Sequence, residues 1–473
     1  MSAIEVLSLE RVKVELDAGA VESLRGSLQG HVVCNGEPGY DEARTIWNAM
    51  IDHRPALIAR CRGTADVMRA VTFAADNGLL LSVKGGGHNI AGSAMCDGGM
   101  VVDLSLMKSV RVDPKARRAW VEGGATLGEL DHETQAFGLA TPVGINSTTG
   151  VAGLTLGGGF GWLSRKHGMT CDNLVAADVV TAEGKLVRAS ASENPDLFWA
   201  LRGGSGNFGV VTGFEFQLHP LGPQVYAGLV AYPIDQARQV LLGYREWVKQ
   251  LPDEAAVWVV ARQAPPLPFL PPEWHGKEVV VLAVFYAGDP AEGEKVLAKA
   301  STFGTPVGAH MGAQPYTAWQ QAFDPLLTPG ARNYWKSHNF VEISDGAIDA
   351  LIESAKKLPS PHCEIFFASI GGQTMRVAPD ATAYPHRDAL FAANVHGRWE
   401  TAEEDERGIA WAREFFEKTK PYATGGVYVN FMADDETARV GSAYGANHQR
   451  LATIKKRYDP RNQFRMNQNI VPA

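Results

Sequence analysis

The sequence predicts an α+β protein built from two regions of different texture. Up to about residue 220, short strands and helices alternate around three glycine clusters, at residues 85–87, 150–161 and 203–209. In residues 221–420 these clusters stop, and longer amphipathic helices alternate loosely with strands, which is typical of an antiparallel sheet with helices on one face. Residues 421–473 begin with a β-rich run over 426–431 and carry a helix over 448–457.

Composition limits the classes of partner. The chain has 473 residues, with 44 basic and 52 acidic side chains, so its formal net charge is −8, and it has no basic stripe. We therefore expect no nucleic-acid or membrane partner. The five scattered cysteines favour buried reduced thiols over disulfides or metal ligands. The N-terminus lacks a signal-peptide pattern and Val279–Ala287 is too short to span a bilayer, so we expect a cytoplasmic location.

A β-α-β unit lies early in the first region. Residues 55–61 have the pattern of a short buried strand, and Thr64 is a suitable N-cap for a helix with apolar residues every three or four positions. Gly78 ends that helix, and a second strand over 79–83 leads into Gly85–Gly87. The glycine turn of a dinucleotide-binding Rossmann unit follows the first strand, so this placement argues against a Rossmann domain.

Local signals predict the other elements. Thr126 and Glu129 have the spacing of a capping box and open a helix that Gly138 ends. Asn194-Pro195 opens a short helix over 196–201. Hydrophobic periodicity predicts further helices over 42–50, 236–251, 292–301, 348–358 and 402–418. It predicts further strands over 100–104, 110–112, 119–122, 174–181, 185–189, 210–218, 256–261, 279–286, 364–370 and 394–399.

The glycine clusters indicate a ligand that carries phosphate groups. Gly85, Gly86 and Gly87 have no Cβ, so their backbone N–H groups can approach a pyrophosphate closely. His88 follows this loop and would face whatever the loop holds. Taken alone, the stretch also fits a solvent loop with an incidental histidine. The later clusters also fit tight helix–strand packing, but together the clusters favour loops that meet one extended ligand.

Four segments carry a family resemblance, namely Val83-Lys-Gly-Gly-Gly-His-Asn89, residues 150–161, residues 203–209 and Tyr458-Asp-Pro-Arg-Asn-Gln-Phe464. In this order and spacing they resemble the berberine-bridge-enzyme-like branch of the vanillyl-alcohol-oxidase flavoproteins. The resemblance implies a PCMH-type FAD-binding domain of two α/β subdomains, made of residues 1–220 and 421–473. It also implies a substrate-binding domain at 221–420, whose antiparallel sheet covers the isoalloxazine ring.

The resemblance also implies how FAD is held. His88 matches the histidine that the family bonds to the 8α-carbon of FAD, which requires a neutral imidazole as nucleophile. Many members add a second bond through a cysteine, but Asn146 stands at that place, so we predict a single link through His88. Thr149 falls at the oxygen-access position, which leaves oxidase and dehydrogenase activity open. FAD contacts are implied at Lys84, Gly85, Gly86, Gly87, Asn89, Gly92, Thr149, Gly150, Gly153, Gly157, Gly158, Gly161, Asp172, Asn173, Asn207, Gly209, Val210, Asn467 and Asn469.

Tyr428 matches a tyrosine that sugar oxidases of this family use near the flavin, and we expect it to act as the catalytic base. An unperturbed phenol titrates near pH ~10, so this role needs a neighbouring cation or the electron-poor flavin. A core aromatic residue with a satisfied hydroxyl is the alternative interpretation. Some relatives use a glutamate in a strand, and the resemblance implies that this strand is Gly371–Val377 here. Arg376 takes the place of the glutamate and cannot act as a base near neutral pH. We expect Arg376, Gln373 and Asn430 to shape the pocket.

The expected function is FAD-dependent hydride transfer from the CH–OH group of a sugar, secondary alcohol or aromatic alcohol, with O2 as the final acceptor. The alternatives are an amine oxidase of the hydroxynicotine type, a dehydrogenase with another acceptor, and a flavin-carrying protein without a competent base. The expected partners are a small-molecule substrate and O2 or another electron acceptor. The expected assembly is a monomer or a homodimer.

Overall fold

The computed structural model describes residues 3–473, and its first region, up to Pro220, consists of short strands and helices. The strands are β1 (Ile4–Leu7), β2 (Lys13–Leu16), β3 (His31–Cys34), β4 (Leu57–Arg60), β5 (Leu81–Lys84), β6 (Met100–Asp103), β7 (Val110–Asp113), β8 (Arg118–Glu122), β9 (Leu139–Ala140), β10 (Leu174–Val180), β11 (Leu186–Ser190), β12 (Val210–Gln217) and β13 (His219–Pro220). The helices are α1 (Ala18–Ser27), α2 (Tyr40–Arg44), α3 (Thr64–Asp76), α4 (Leu127–Gln135), α5 (Val151–Leu156), α6 (Ser164–His167) and α7 (Pro195–Leu201).

Two sheets organise this region, and α3 contacts both. In the four-stranded sheet, ordered β3-β4-β6-β5, strands β4, β6 and β5 are parallel and β3 is antiparallel. The five-stranded sheet, ordered β11-β10-β12-β8-β7, is antiparallel throughout. Val67, Ala70 and Val71 are fully buried on α3, which confirms the apolar face that the periodicity predicts. Gly63, rather than Thr64, is the N-cap residue of this helix.

The second region is one large antiparallel sheet with helices on one face, as the sequence predicts. Its strands are β14 (Gln224–Pro233), β15 (Ala255–Gln263), β16 (Glu278–Tyr286), β17 (Gly308–Pro315), β18 (Arg332–Phe340), β19 (Glu364–Ser369) and β20 (Phe391–Trp399). They pair in the order β17-β14-β16-β15-β19-β20-β18. Its helices are α8 (Ala237–Val248), α9 (Pro290–Leu297), α10 (Tyr316–Gln320), α11 (Asp345–Ala355), α12 (Gln373–Arg376) and α13 (Asp405–Thr419).

Side chains along β15 alternate between the two faces of the sheet, and each face packs against a different part of the protein. Val257 and Val259 are fully buried in the core formed with α8, α9, α11 and α13. Trp258 points to the opposite face, where it packs with Phe160 and Trp162 of the first region. Side chains alternate between the two faces of a strand, so one strand contributes to the helical core and to the contact with the first region.

The C-terminal residues return to the first region, and a buried ion pair within them positions the lysine that contacts this region. They contain α14 (Val440–Tyr444) and α15 (His448–Tyr458). Lys455 Nζ donates to Asp459 Oδ2 at 2.7 Å, to the Asn207 carbonyl at 2.6 Å and to the Phe464 carbonyl at 2.9 Å. Both charged side chains are fully buried. Asp459 also accepts from the backbone N–H groups of Gln463 and Phe464, so the tail is anchored rather than frayed.

Two predicted elements near the cavity described below are wrong. The run over 426–431 is a loop with a 3₁₀ turn at Val429–Phe431, because the side chains of Tyr428 and Asn430 hydrogen-bond to the first region instead of joining a strand ladder. The segment 371–377 is a turn followed by α12, and Gly372 has a φ of +67°, which is outside the range of a strand.

The predicted helix over 42–50 is also shorter than expected. It ends at Arg44 as α2, and the chain then crosses to the glycine loop, where the Trp47 N–H donates to the Gly87 carbonyl at 3.1 Å. All five cysteines are buried free thiols, as predicted. Within residues 3–473, no helix has both the length and the apolar character needed to cross a bilayer.

Removal of the Asp459 carboxylate tests the anchor of the C-terminal residues. We expect Asp459→Ala to lower the free energy of unfolding by about 3–5 kcal/mol, because it leaves the Lys455 ammonium buried without a counter-charge. Urea unfolding followed by circular dichroism measures this. Glu414→Ala is the matched control, since it breaks an exposed pair with Lys418 at the same spacing and should cost no more than about 0.5 kcal/mol. Equal losses in the two variants would contradict the anchoring role.

Candidate active site

A cavity of about 300 Å³ lies between the first region and the large sheet. Glycine loops and backbone from the first region line one side, and side chains of β15, β19 and β20 line the other. The C-terminal residues Asn467 and Gln468 close one end. The cavity is therefore assembled from parts of the chain that are hundreds of residues apart.

Two glycine loops touch through their backbones at the floor of this cavity. A Cβ on Gly86 would lie 2.5 Å from the Cα and N atoms of Gly150, and a Cβ on Gly150 would lie 2.5 Å from the N atom of Gly86. Gly87 has a φ of +70°, which side-chain-bearing residues rarely adopt. The close approach of the loops thus requires glycine at Gly86 and Gly150, and the backbone conformation favours glycine at Gly87.

The lining fits a dinucleotide with phosphate groups. A Cβ on Gly153 or Gly206 would meet no atom within 4 Å, so backbone at these positions faces open space in the cavity. The buried side-chain oxygen of Asn467, which lines the cavity, has no hydrogen-bond partner among the described residues. Free backbone and an unpaired amide oxygen suit a polar ligand, because buried polar groups are normally satisfied.

His88 stands at the edge of the glycine loop as a neutral imidazole. Its ring stacks on Trp47, with ring centroids 5.0 Å apart, and burial lowers its pKa to about 3. Its Nε2 lies 2.9 Å from the Thr148 hydroxyl oxygen, and that hydroxyl donates to Asn146 Oδ1 at 2.7 Å. The Thr148 oxygen can then accept from Nε2–H, which leaves the lone pair on Nδ1. An uncharged ring with an available lone pair is the form that acts as a nucleophile.

The structure brings many of the predicted cofactor residues together. Those that line the cavity are Gly85, Gly86, Gly87, His88, Asn89, Thr149, Gly150, Gly153, Gly209, Val210 and Asn467. The others lie outside its lining, namely Lys84, Gly92, Gly157, Gly158, Gly161, Asp172, Asn173, Asn207 and Asn469.

Several residues of this second group have packing roles instead. Lys84 Nζ donates to the Ala43 carbonyl at 2.8 Å. A Cβ on Gly161 would lie 1.9 Å from the Val143 carbonyl oxygen. Close packing therefore explains Gly161 better than contact with a ligand does, and the Lys84 ammonium is already bound to backbone.

A polar cluster on β19 and β20 faces the cavity, and the sequence analysis missed it. Glu364 Oε1 lies 3.2 Å from His396 Nδ1, and Arg262 Nη1 donates to Glu364 Oε2 at 2.8 Å. Burial alone would raise the pKa of Glu364, but Arg262 and His396 outweigh it and the pKa is lowered. Burial lowers the pKa of His396 against the opposing effect of Glu364. The pair therefore combines a carboxylate with a neutral imidazole.

Unpaired polar atoms surround that pair. His396 Nε2, both amide atoms of Asn394 and the indole nitrogens of Trp258 and Trp335 are buried and have no partner within the described chain. All four residues line the cavity. The sequence does contain a signal for this cluster. Asn394, His396 and Arg398 occupy alternate positions of an otherwise apolar strand, which places three polar side chains on one face of β20.

Tyr428 is fully buried at the junction of the two regions. Its hydroxyl oxygen accepts from the Gly159 N–H at 3.0 Å and from Asn430 Nδ2 at 2.9 Å. Burial raises the pKa of this phenol well above its usual value, although both hydrogen bonds act in the opposite direction. Asn430 also donates to the Leu154 carbonyl, and both side chains line the cavity as expected.

Gln373 and Arg376 do not reach the cavity. They lie in α12, and Arg376 forms an exposed ion pair with Asp253, with an Nη2–Oδ1 distance of 3.0 Å. The expectation that these two side chains shape the pocket is wrong, because the segment folds as a turn that directs them to the surface. Glu364, Asn394 and His396 occupy the wall in their place.

Comparison with known proteins identifies the family. An FAD binding domain model matches residues 55–190, and a model described as "Berberine and berberine like" matches residues 427–471. (R)-6-hydroxynicotine oxidase from Paenarthrobacter nicotinovorans is 31% identical over 461 residues, which cover 94% of this chain and 97% of that protein. The chain belongs to the berberine-bridge-enzyme-like family of FAD-linked oxidoreductases.

Other members of the berberine-bridge-enzyme-like family agree in sequence and in fold. An FAD-linked oxidoreductase of Dictyostelium discoideum is 32% identical, with 94% of this chain and 95% of that protein covered. The crystal structure of 6-hydroxy-D-nicotine oxidase from Arthrobacter nicotinovorans superposes with a TM-score of 0.85 at 30% identity, over 94% of this chain and 99% of that one. A chitooligosaccharide oxidase structure gives 0.84 at 25% identity, over 96% and 100% of the two chains. The predicted family and the PCMH-type fold are confirmed, and the protein is an FAD-linked oxidoreductase.

The contact between the glycine loops can be tested through cofactor content. We expect Gly86→Ala to reduce the flavin bound per protein at least tenfold, because a methyl group there would overlap the backbone of Gly150 and separate the loops. The absorbance ratio of flavin to protein after purification measures this. Gly26→Ala is the control, since a Cβ at Gly26 in α1 meets no neighbouring atom. Full flavin content in Gly86→Ala would show that the loops tolerate separation.

Proposed function

We propose that this oxidoreductase removes a hydride from a CH–OH group and that Tyr428 accepts the hydroxyl proton. The observation that supports this proposal most directly is that the Tyr428 hydroxyl oxygen accepts two hydrogen bonds, from the Gly159 N–H and from the Asn430 amide. Two donors at one oxygen favour its anionic form, which is the form that a base requires. Burial raises the pKa of this phenol and opposes that form, so the proposed role requires the electron-poor flavin ring beside Tyr428. When FAD is bound, its isoalloxazine ring supplies the acceptor for the hydride.

The charge of the cavity wall favours an alcohol over an amine. Glu364 is the one acidic side chain among the described residues that line the cavity, and Arg262 and His396 already pair with it. A protonated amine would therefore find no free counter-charge there. An amine oxidase of the hydroxynicotine type remains the second candidate, supported by the 31% identity to a protein of that name.

We further propose that FAD is held by a single covalent bond to His88. Burial lowers the pKa of His88 to about 3, so the ring is neutral near neutral pH, and the Thr148 contact leaves Nδ1 available. Among the described residues that line the cavity there is no cysteine, and Asn146 occupies the place of the second link. The FAD-binding residues then come from 1–220 and 421–473, and the substrate-binding residues from 221–420. Reoxidation by O2, a monomeric or homodimeric assembly and a cytoplasmic location are parts of the same proposal.

Acid denaturation tests the covalent link. We expect the yellow colour of the wild type to precipitate with the protein and that of His88→Ala to stay in the supernatant or be absent, because the variant lacks the attacking imidazole. The absorbance of both fractions near the flavin maximum measures this. His396→Ala is the matched control, since His396 lines the same cavity and its colour should stay in the pellet. Release of flavin from the wild type would refute the link.

Substitution of Tyr428 tests the base. With any alcohol that bleaches the flavin without oxygen, we expect Tyr428→Phe to slow the bleaching at least about 100-fold, the usual contribution of a positioned base. Stopped-flow absorbance measures the rate. Tyr384→Phe is the matched control, because Tyr384 is an equally buried tyrosine whose hydroxyl has no partner among the described residues. An unchanged rate in Tyr428→Phe would exclude Tyr428 and direct attention to His396 Nε2.

A further inference from the structure

A second, smaller cavity of about 60 Å³ adjoins the main one. The two share Ile145, Trp258, Leu327, Glu364 and Phe366 in their linings, so they are neighbouring compartments of one site. We call the smaller compartment the side pocket. It extends from the polar cluster around Glu364 over the centre of the large sheet.

The floor of the side pocket consists of apolar strand residues that lack a packing partner. Leu229, Val260 and Val281 come from β14, β15 and β16, and Val260 is directly opposite Val281 in the sheet register. All three remain only half-buried, whereas Val259 and Val280, which face the helices on the other side of the same strands, are fully buried. Central strands normally bury both faces, so the pocket leaves apolar surface to be covered by a ligand.

The two walls of the side pocket are apolar as well. Pro265, Leu267, Phe269 and Leu270 of the connection between β15 and β16 form one wall. The segment with Phe323, Leu326 and Leu327 forms the other. A molecule with hydroxyls on every carbon would lose hydrogen bonds to water there without replacement. A hydrocarbon group would gain burial at no such cost.

Charge is confined to the entrance between the two compartments. Arg262 and Glu364 both line the side pocket, and they are paired with each other at 2.8 Å. His396 and Asn394 lie on the main-cavity side of Glu364 and keep unpaired polar atoms. The site therefore has a polar part in the main cavity, which Tyr428 also lines, and an apolar end in the side pocket.

We infer that the substrate is an amphiphilic alcohol whose apolar group occupies the side pocket. Its hydroxyl-bearing end lies in the main cavity, so the inference rests on the function proposed for that cavity. A volume of about 60 Å³ holds roughly four to six non-hydrogen atoms at about 10–15 Å³ for each water-sized atom. An aromatic alcohol with a branched alkyl group or a second ring satisfies these conditions. A free sugar does not.

Paired alcohols test the inference on the flavin-loaded protein. Dissociation constants are measured without oxygen from the perturbation of the flavin spectrum, in separate titrations with benzyl alcohol, 4-tert-butylbenzyl alcohol and glucose. We expect the tert-butyl compound to bind at least tenfold more tightly than benzyl alcohol, and glucose to bind most weakly. Equal affinities for the two aromatic alcohols, or tighter binding of glucose, would overturn the inference.

Variants of the pocket floor connect the preference to its location. Val281→Phe fills the side pocket and should reduce the affinity ratio of the two aromatic alcohols to about one. Val281→Thr has nearly the same volume and places a hydroxyl in the floor, so it should also lower the ratio if the bulkier variant fails to fold. Leu186→Phe, at an exposed position of β11, should leave the ratio unchanged. A ratio that survives Val281→Phe and Val281→Thr would place the apolar group elsewhere.

Binding and bleaching separate the two proposals. If the tert-butyl alcohol binds preferentially but no alcohol bleaches the flavin, the proposed oxidation fails and the side pocket stands. If alcohols bleach the flavin without preference for the apolar group, the oxidation stands and the side pocket is not a substrate site.

Discussion

The direct backbone contact between the loops at Gly86 and Gly150 is the constraint on which the site depends. The first loop follows the parallel strand β5, and the second precedes α5 beside the antiparallel strands. Contact at this distance is possible only without side chains, so both loops present bare backbone to the cavity. The first region thereby forms a floor of peptide groups with His88 at its edge, and the polar cluster of Glu364, Asn394 and His396 lies on the sheet opposite.

The wall opposite that floor contains charges that are already compensated. Glu364 is tolerated at depth because Arg262 and His396 both pair with it. The neutral state of His396 leaves the wall close to electroneutral. Such a wall binds through hydrogen bonds and apolar contact, and it offers no free counter-charge to a charged ligand.

Elements set by local signals could be predicted from the sequence. The capping box of Thr126 and Glu129 is present with both hydrogen bonds, and α3 buries the face that its periodicity marks. Elements whose conformation depends on residues far away in the sequence could not be predicted in this way. The chain over 426–431 has the composition of a strand, yet it forms a loop with a 3₁₀ turn, because Tyr428 and Asn430 hydrogen-bond to Gly159 and Leu154.

The same distinction between local and long-range signals applies to the residues of the candidate site. The glycine loops and His88 carry a local signature, and the structure places them in the lining of the cavity. The expectation for Gln373 and Arg376 depends on a strand that this chain does not form. Asn394 and His396 belong to a strand whose neighbours are set by the sheet order, so their meeting with Glu364 on β19 requires knowledge of the topology. The half-buried floor of Leu229, Val260 and Val281 likewise appears only once three strands are placed side by side.

The docking of the C-terminal residues has a consequence for how the protein is made. Asn467 lines the same cavity as residues 85–89, although almost the whole chain separates them. A ribosome that has released every residue up to the end of α15 has produced both sheets but not the segment that closes this end of the cavity. Closure of this end of the cavity therefore depends on residues that are synthesised after both sheets.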